Sequence, residues 1–151
     1  MAASVKSAKI MVVDAQGYIA GRLSSHIAKS LLNGNKVIVV NAEKVLLSGS
    51  KSSIINEYLK RLEIGSVISP RHGPFHPRRP DTILSKMIRG MLPIRKAKGL
   101  EALKRLRVYI GVPEQYKTFE KTKFEDAIAK KPLSFYLTLG ELSFRLGWKG
   151  E

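Results

Sequence analysis

Short apolar runs and amphipathic stretches alternate along the first third of the chain. Residues 10–13 (Ile-Met-Val-Val) and 37–40 (Val-Ile-Val-Val) are continuous apolar runs rich in β-branched residues, which is typical of buried strands. Between them, Leu23, Ile27 and Leu31 recur every fourth residue and therefore share one side of a helix. This order of strand, helix and strand predicts a parallel βαβ unit.

The alternation continues beyond this unit with further helices and strands. The predicted elements are a strand at residues 45–47, helices at 54–62, 82–92 and 100–106, and a strand at 108–110. Met87 and Met91 lie at the centre of the apolar side of the helix at 82–92, so both are predicted to be core residues. Strand candidates interleaved with helices indicate an α/β fold.

Residues 65–81 break this pattern with four prolines and two glycines. Proline lacks a backbone donor and restricts the residue before it, so this segment is predicted to be an extended loop. The loop also holds Arg71, Arg78 and Arg79. Long connections in compact domains are commonly either functional or disordered until they bind. We therefore expect this basic loop to be mobile in the free protein and to fold on a binding partner.

A change in composition late in the chain predicts the domain organisation. Residues 1–113 are predicted to form the α/β core, which includes the basic loop, and residues 114–151 a C-terminal extension. Residues 117–131 are charge-mixed and poor in apolar side chains. Thr138 and Glu141 then have the spacing of a capping box, which predicts a last short helix in the extension.

Charge concentrates in the middle of the chain. The 151 residues include 27 Lys and Arg against 12 Asp and Glu, for a net charge of +15, and residues 71–107 alone hold 11 basic and two acidic residues. A charge that served general solubility would be spread more evenly, so this concentration predicts a surface that binds a polyanion. The chain has no cysteine, which excludes disulfides and thiolate metal sites.

The basic side chains fall into four groups: the first helix, the loop, the polar side of the third helix, and the segment around the fourth helix. A single group of this kind is usually a solvated surface, but four in succession with few acids favour RNA binding. The loop uses only arginine, whose planar guanidinium matches phosphate oxygens, and its histidines and Phe75 are suited to stacking on unpaired bases. The predicted RNA-contacting residues are Arg22 and Lys29, Arg71, His72, His76, Arg78 and Arg79, Lys86 and Arg89, and Arg95, Lys96, Lys98, Lys104 and Arg105.

Motifs for catalysis, cofactors and metals lack the required spacing. Residues 48–52 (Ser-Gly-Ser-Lys-Ser) do not have the glycine spacing of a phosphate-binding loop, and no Gly-x-Gly-x-x-Gly follows the first strand. His72 and His76 are spaced like zinc ligands on a helix, but Pro74 prevents that helix. We therefore expect no catalytic residue, cofactor, metal or small-molecule substrate. No apolar run approaches the about 18 residues that span a bilayer, so no membrane partner is expected either.

Several short motifs lie in or beside the predicted strands and helices. They are residues 12–15 (Val-Val-Asp-Ala), 21–23 (Gly-Arg-Leu), 39–45 (Val-Val-Asn-Ala-Glu-Lys-Val), 48–49 (Ser-Gly) and, most specific, 89–93 (Arg-Gly-Met-Leu-Pro), followed by Gly99, Leu103, Leu106, Val108, Tyr109 and Gly111. Together they resemble the family of the thirteenth universal protein of the large ribosomal subunit. Residues 71–76 and 146–149 are similar to its archaeal and eukaryotic branch. Leu100 departs from the family pattern, in which a polar residue is expected there.

This resemblance implies a three-layer α/β/α fold with a mostly parallel four-stranded sheet, together with the basic loop and the C-terminal extension. It also implies a non-enzymatic structural constituent of the cytoplasmic ribosome. Such a protein binds large-subunit ribosomal RNA and neighbouring ribosomal proteins, and stabilises the folded RNA during assembly. Two alternatives stand beside it: an enzyme on a nucleotide-binding core, which would need a glycine-rich turn, and a DNA-binding protein, which would usually present a recognition helix.

Overall fold

Residues 9–150 are described by a computed structural model, and they form five strands and five α-helices. The strands are β1 (Ile10–Asp14), β2 (Lys36–Val40), β3 (Leu46–Ser48), β4 (Leu106–Val108) and β5 (Tyr136–Thr138). The helices are α1 (Ala20–Leu32), α2 (Lys51–Glu63), α3 (Pro80–Gly90), α4 (Ala97–Lys104) and α5 (Leu139–Arg145). The predicted α/β class is confirmed. The ends of α2 to α4 differ from the predicted ends by up to three residues, and β4 begins two residues before the predicted strand at 108–110.

β1, β2 and β4 form a parallel sheet in which β2 is the central strand. Val39 of β2 pairs with Val13 of β1 and with Val108 of β4, so apolar side chains continue across all three strands. The last four residues of β2 are all buried. A strand covered on both faces is expected to have continuous rather than alternating apolar residues, as β2 does.

β3 lies outside this sheet, which has three strands among residues 9–150 rather than the four that the resemblance implies. After β2, Asn41 adopts a left-handed conformation with a φ of 57° and precedes a 3-10 turn at Ala42–Lys44. Asparagine tolerates this conformation better than most residues, and the turn redirects the chain. β3 then pairs with β5 in a small antiparallel sheet.

The two faces of the parallel sheet are covered differently. Val39 belongs to the main hydrophobic core, which includes side chains of α1, α3 and α4. On the opposite face, Ile38 belongs to a second cluster with Tyr109, Val112 and Tyr116 of the segment after β4. A glycine with positive φ and a proline in that segment oppose helix formation. Side chains of this segment, including Tyr116 in a short 3-10 helix at Glu114–Tyr116, therefore cover this face of the sheet.

The C-terminal part of the chain contributes to the main core. Leu137, Leu139 and Leu142 are completely buried in the same cluster as the side chains of α1 and β2. The hydroxyl oxygen of Thr138 accepts a hydrogen bond from the N–H of Glu141 over 3.2 Å, which confirms the predicted helix start. The domain boundary at residue 113 stays a prediction, but β5 and α5 pack as part of the core.

The predicted core positions on α3 are only partly confirmed. Met87 is half-buried and packs against the main core, whereas Met91 is 45% exposed. The prediction for Met91 is wrong because α3 ends at Gly90, so that Met91 lies at the helix end and no longer on its apolar side. Leu92 is buried just after the helix end.

Candidate nucleic-acid interface

The basic loop at residues 65–81 is held against α2 and α3 by two side-chain hydrogen bonds. His76 Nε2 donates to the carbonyl oxygen of Ile64, at the end of α2, over 2.7 Å. Lys86 Nζ, from α3, donates to the carbonyl oxygen of Phe75 over 2.9 Å. These contacts define a path for the loop. The prediction of an extended loop over 65–81 is only partly right, because residues 70–72 form a 3-10 turn and residues 80–81 already belong to α3. The mobility of the loop in the free protein stays a prediction.

The predicted contact residues of the loop lie mostly on its outside. Arg71, His72, Arg78 and Arg79 are exposed, while His76 is half-buried. Phe75, which the sequence suits to base stacking, is 76% exposed. Exposed aromatic rings near cations are groups on which proteins can stack unpaired bases.

The loop and α3 form a continuous surface with α4. Lys86 and Arg89 of α3 line a depression of about 370 Å³ together with Phe75 and Pro77 of the loop and Leu103 of α4. Two of the groups predicted from sequence, those of the loop and α3, are thus brought together. We call the exposed surface of the loop, α3 and α4 the basic surface.

The segment at 95–105 adds four exposed cations to the basic surface. Arg95, Lys96, Lys98 and Lys104 are all exposed. Arg105 differs: it is half-buried, and its Nη2 donates to the carbonyl oxygen at Leu31 over 2.9 Å, while its Nε is buried without a hydrogen-bond partner. These contacts tie the end of α4 to the end of α1, so the position of Arg105 favours a packing role over RNA contact.

The group on α1 is partly covered by the C-terminal segment. Arg22 remains exposed, but its Nη1 donates to the carbonyl oxygen of Asp126 over 3.2 Å. The ring of His26 stacks on Phe124 with 4.9 Å between centroids. Lys29 is exposed on the same helix. Part of the polar side of α1 therefore contacts residues 124–126 and holds them in place.

A groove beside α1 contains two lysines that the sequence did not single out. Arg22 lines this groove of about 630 Å³ with Lys51 and Lys131. Lys51 lies in residues 48–52, which lack the glycine spacing of a phosphate-binding loop, and Lys131 lies far from it along the chain. No local signal in the sequence connects these two lysines.

Most of the predicted cations lack an acidic partner. Among residues 9–150, the ion pairs are Lys51–Glu141, Arg61–Glu57, Arg79–Asp81, Lys117–Glu114 and Lys121–Asp14. Of the predicted contact residues, Arg79 alone appears in this set from the described part of the chain. Uncompensated, exposed cations are the groups that can neutralise phosphates without first breaking a salt bridge.

Comparison with known proteins identifies the family. Residues 8–115 match the sequence profile of the family described as Ribosomal protein L13. The chain belongs to this family. Three archaeal relatives are each described as large ribosomal subunit protein uL13. The protein of Archaeoglobus fulgidus is 45% identical over 141 residues (92% of this chain, 88% of the relative), that of Methanosarcina barkeri 46% over 140 (91% and 98%), and that of Aeropyrum pernix 45% over 144 (95% and 93%).

Membership of the ribosomal protein L13 family confirms the resemblance seen in the motifs, and the structure explains the most specific one. Residues 89–93 end α3 and lead towards α4. A Cβ at Gly99 would lie 2.1 Å from the carbonyl oxygen of Pro93, so only glycine fits there. This close approach packs the first turn of α4 against the backbone at Pro93, in the turn that follows α3.

The motifs in β1 and β2 of this L13-family chain form a hydrogen-bonded network. Asn41 Nδ2 donates to Asp14 Oδ1 over 2.8 Å, and Lys121 Nζ donates to Asp14 Oδ2 over 2.7 Å. Burial alone raises the pKa of Asp14, but these hydrogen bonds outweigh it and the pKa lies below its ordinary value. Glu43 accepts from the N–H of Gly111 over 3.0 Å. The network joins the ends of neighbouring strands, which is a structural role.

Within residues 9–150, no group of three or more His, Cys, Asp or Glu side chains lies close enough together to hold a metal ion. No helix in the described part of the L13-family chain has the length and apolar character needed to cross a membrane.

Proposed function

We propose that this chain is a structural component of the large ribosomal subunit that binds the subunit's ribosomal RNA and stabilises its folded form during assembly. The observation that carries this proposal is the basic surface on a member of the ribosomal protein L13 family, whose exposed cations, apart from Arg79, have no acidic partner among residues 9–150. A ribosomal structural protein is not an enzyme, in agreement with the sequence.

The basic surface is proposed to contact RNA in two ways. The arginines and lysines of the loop, α3 and α4 bind phosphate oxygens and fix the position of the protein on the RNA. Phe75 and His72, both exposed on the loop, stack on unpaired bases. The set comprises the exposed residues Arg71, His72, Arg78, Arg79, Lys86, Arg89, Arg95, Lys96, Lys98 and Lys104.

The remaining predicted residues take secondary roles in this proposal. Arg22 and Lys29 on α1 contact phosphates at a second place, where Lys51 and Lys131 line the neighbouring groove. His76 positions the loop through its bond to Ile64. The partners are ribosomal RNA and adjacent ribosomal proteins, and the location is the cytoplasmic ribosome.

Sedimentation of a cell lysate tests the proposal. In a sucrose gradient at low salt, the native chain is expected in the large-subunit fractions, and ribonuclease digestion should release it. Because the contacts are mainly to phosphates, a high-salt wash should remove part of it while a non-ionic detergent should not. A chain found only in the free-protein fractions would contradict the proposal.

A further inference from the structure

A cavity between α2, the basic loop and α3 is not used by the contacts described so far. It has a volume of about 210 Å³, and Tyr58, Leu62 and Met87 form much of its apolar lining. It is far larger than the about 10–15 Å³ that one water requires and smaller than the about 300–1,000 Å³ of pockets for drug-sized ligands. Its size therefore suits a single flat ring system.

The lining combines planar groups with positive charge. The guanidinium carbon of Arg61 lies over one face of the Tyr58 ring, 5.0 Å from its centroid, and both planar groups line the cavity. His76 and Lys86 also line the cavity. Burial raises the pKa of the Tyr58 phenol, so this ring is neutral at physiological pH. Aromatic rings and guanidinium planes are the surfaces on which proteins stack extruded bases.

We propose that this cavity holds one unpaired nucleobase of the ribosomal RNA, while Arg61 and Lys86 contact the phosphates beside it. This inference rests on the proposed RNA-binding function and names the part of the RNA that the cavity takes. Charge favours a nucleotide over an apolar protein side chain, because the cations Arg61 and Lys86 line the cavity together with its apolar residues. Arg61 pairs with Glu57 in the free chain and exchanges that partner for a phosphate on binding. A base that is already unpaired costs little to extrude into such a cavity.

A pair of matched RNA probes tests this inference with the full chain. One probe is a hairpin with a single bulged adenosine, and the other is the same hairpin with an abasic nucleotide at the bulge. The two carry equal numbers of phosphates and differ only in the base. Since stacking of one base contributes a roughly five- to 150-fold gain in affinity and tolerates any sequence, the adenosine probe should bind tighter by that factor.

Variants of Tyr58 test whether the preference for the adenosine hairpin over the abasic hairpin arises in this cavity. Tyr58→Ala should reduce the ratio of the two affinities to nearly one, whereas Tyr58→Phe, which keeps the ring, should retain it. Tyr116→Ala is the matched control, because Tyr116 is also half-buried but packs in the cluster on the other face of the parallel sheet. Thermal melts confirm that each variant is folded at the assay temperature.

The outcomes separate this inference from the proposed function. Equal affinity of the wild-type chain for both hairpins would overturn the nucleobase cavity and leave the basic surface intact as an RNA-binding site. The same holds if Tyr58→Ala keeps the preference or if Tyr116→Ala loses it. Failure to bind either hairpin at low salt would contradict the cavity and the proposed function together.

Discussion

The affinity of the chain for its ribosomal RNA is expected to fall by about three to five orders of magnitude between about 50 and about 200 mM salt, as for a protein that neutralises about six to ten phosphates. Binding releases condensed counterions from the RNA, and added salt opposes that release. The exposed cations of the basic surface are numerous enough for this effect. Filter binding over a salt series measures the slope of log affinity against log salt concentration.

A charge-matched pair of triple variants assigns the slope to the basic surface. Lys96, Lys98 and Lys104 all belong to the basic surface. Replacing the three with glutamine should reduce the slope of log affinity against log salt concentration by about two to three units, because each lost phosphate contact lowers it by about 0.9 or less. Lys117, Lys123 and Lys130 are equally exposed but lie in the C-terminal part of the chain. Their replacement removes the same charge and should leave the slope unchanged. Equal losses in both variants would mean that only net charge matters.

The second large effect concerns stability. Leu142→Ala should lower the free energy of unfolding by about 2–5 kcal/mol, because it leaves a cavity at a fully packed position. Leu142 is 0% exposed on α5 and belongs to the main core with Leu137 and Leu139. Equilibrium urea denaturation measures the change.

A residue on the same helix provides the control for this prediction. Phe144 is 67% exposed, so Phe144→Ala should change the free energy of unfolding by no more than about 0.5 kcal/mol. If Leu142→Ala were as mild as Phe144→Ala, α5 would not be part of the core. The C-terminal residues would then behave as the separate extension that the sequence predicts.

Local periodicity was sufficient to predict most helices and the strands β1 and β2, whereas β4 begins at Leu106, which was assigned to a helix. The apolar runs around Val13 and Val39 form β1 and β2, and the spacing of Leu23 and Ile27 predicts α1. Periodicity did not indicate which strand β3 pairs with, because its partner β5 lies far along the chain and the two strands pair through backbone groups. In the same way, nothing in the local pattern around Tyr109 shows that this side chain packs against the second face of the sheet.

The candidate site was predictable as a set of charges but not as a geometry. The sequence shows the density of cations in residues 71–107, since this needs only counting. It does not show that Arg105 is bound to the carbonyl oxygen of Leu31, nor that Arg61 and His76 line one cavity. Those relations depend on which elements the fold brings together, so only the structure distinguishes packing arginines from exposed ones.

Lysine acetylation of purified large subunits is the most direct test of the claim that the basic surface binds ribosomal RNA. Lys96, Lys98 and Lys104 are exposed on the isolated chain and should be strongly protected in the subunit. Digestion of the RNA should restore their reactivity. This result would show that RNA, and not a neighbouring protein, shields the lysines from the reagent. Reactivity of all three lysines in the intact subunit equal to that in the free chain would contradict the account.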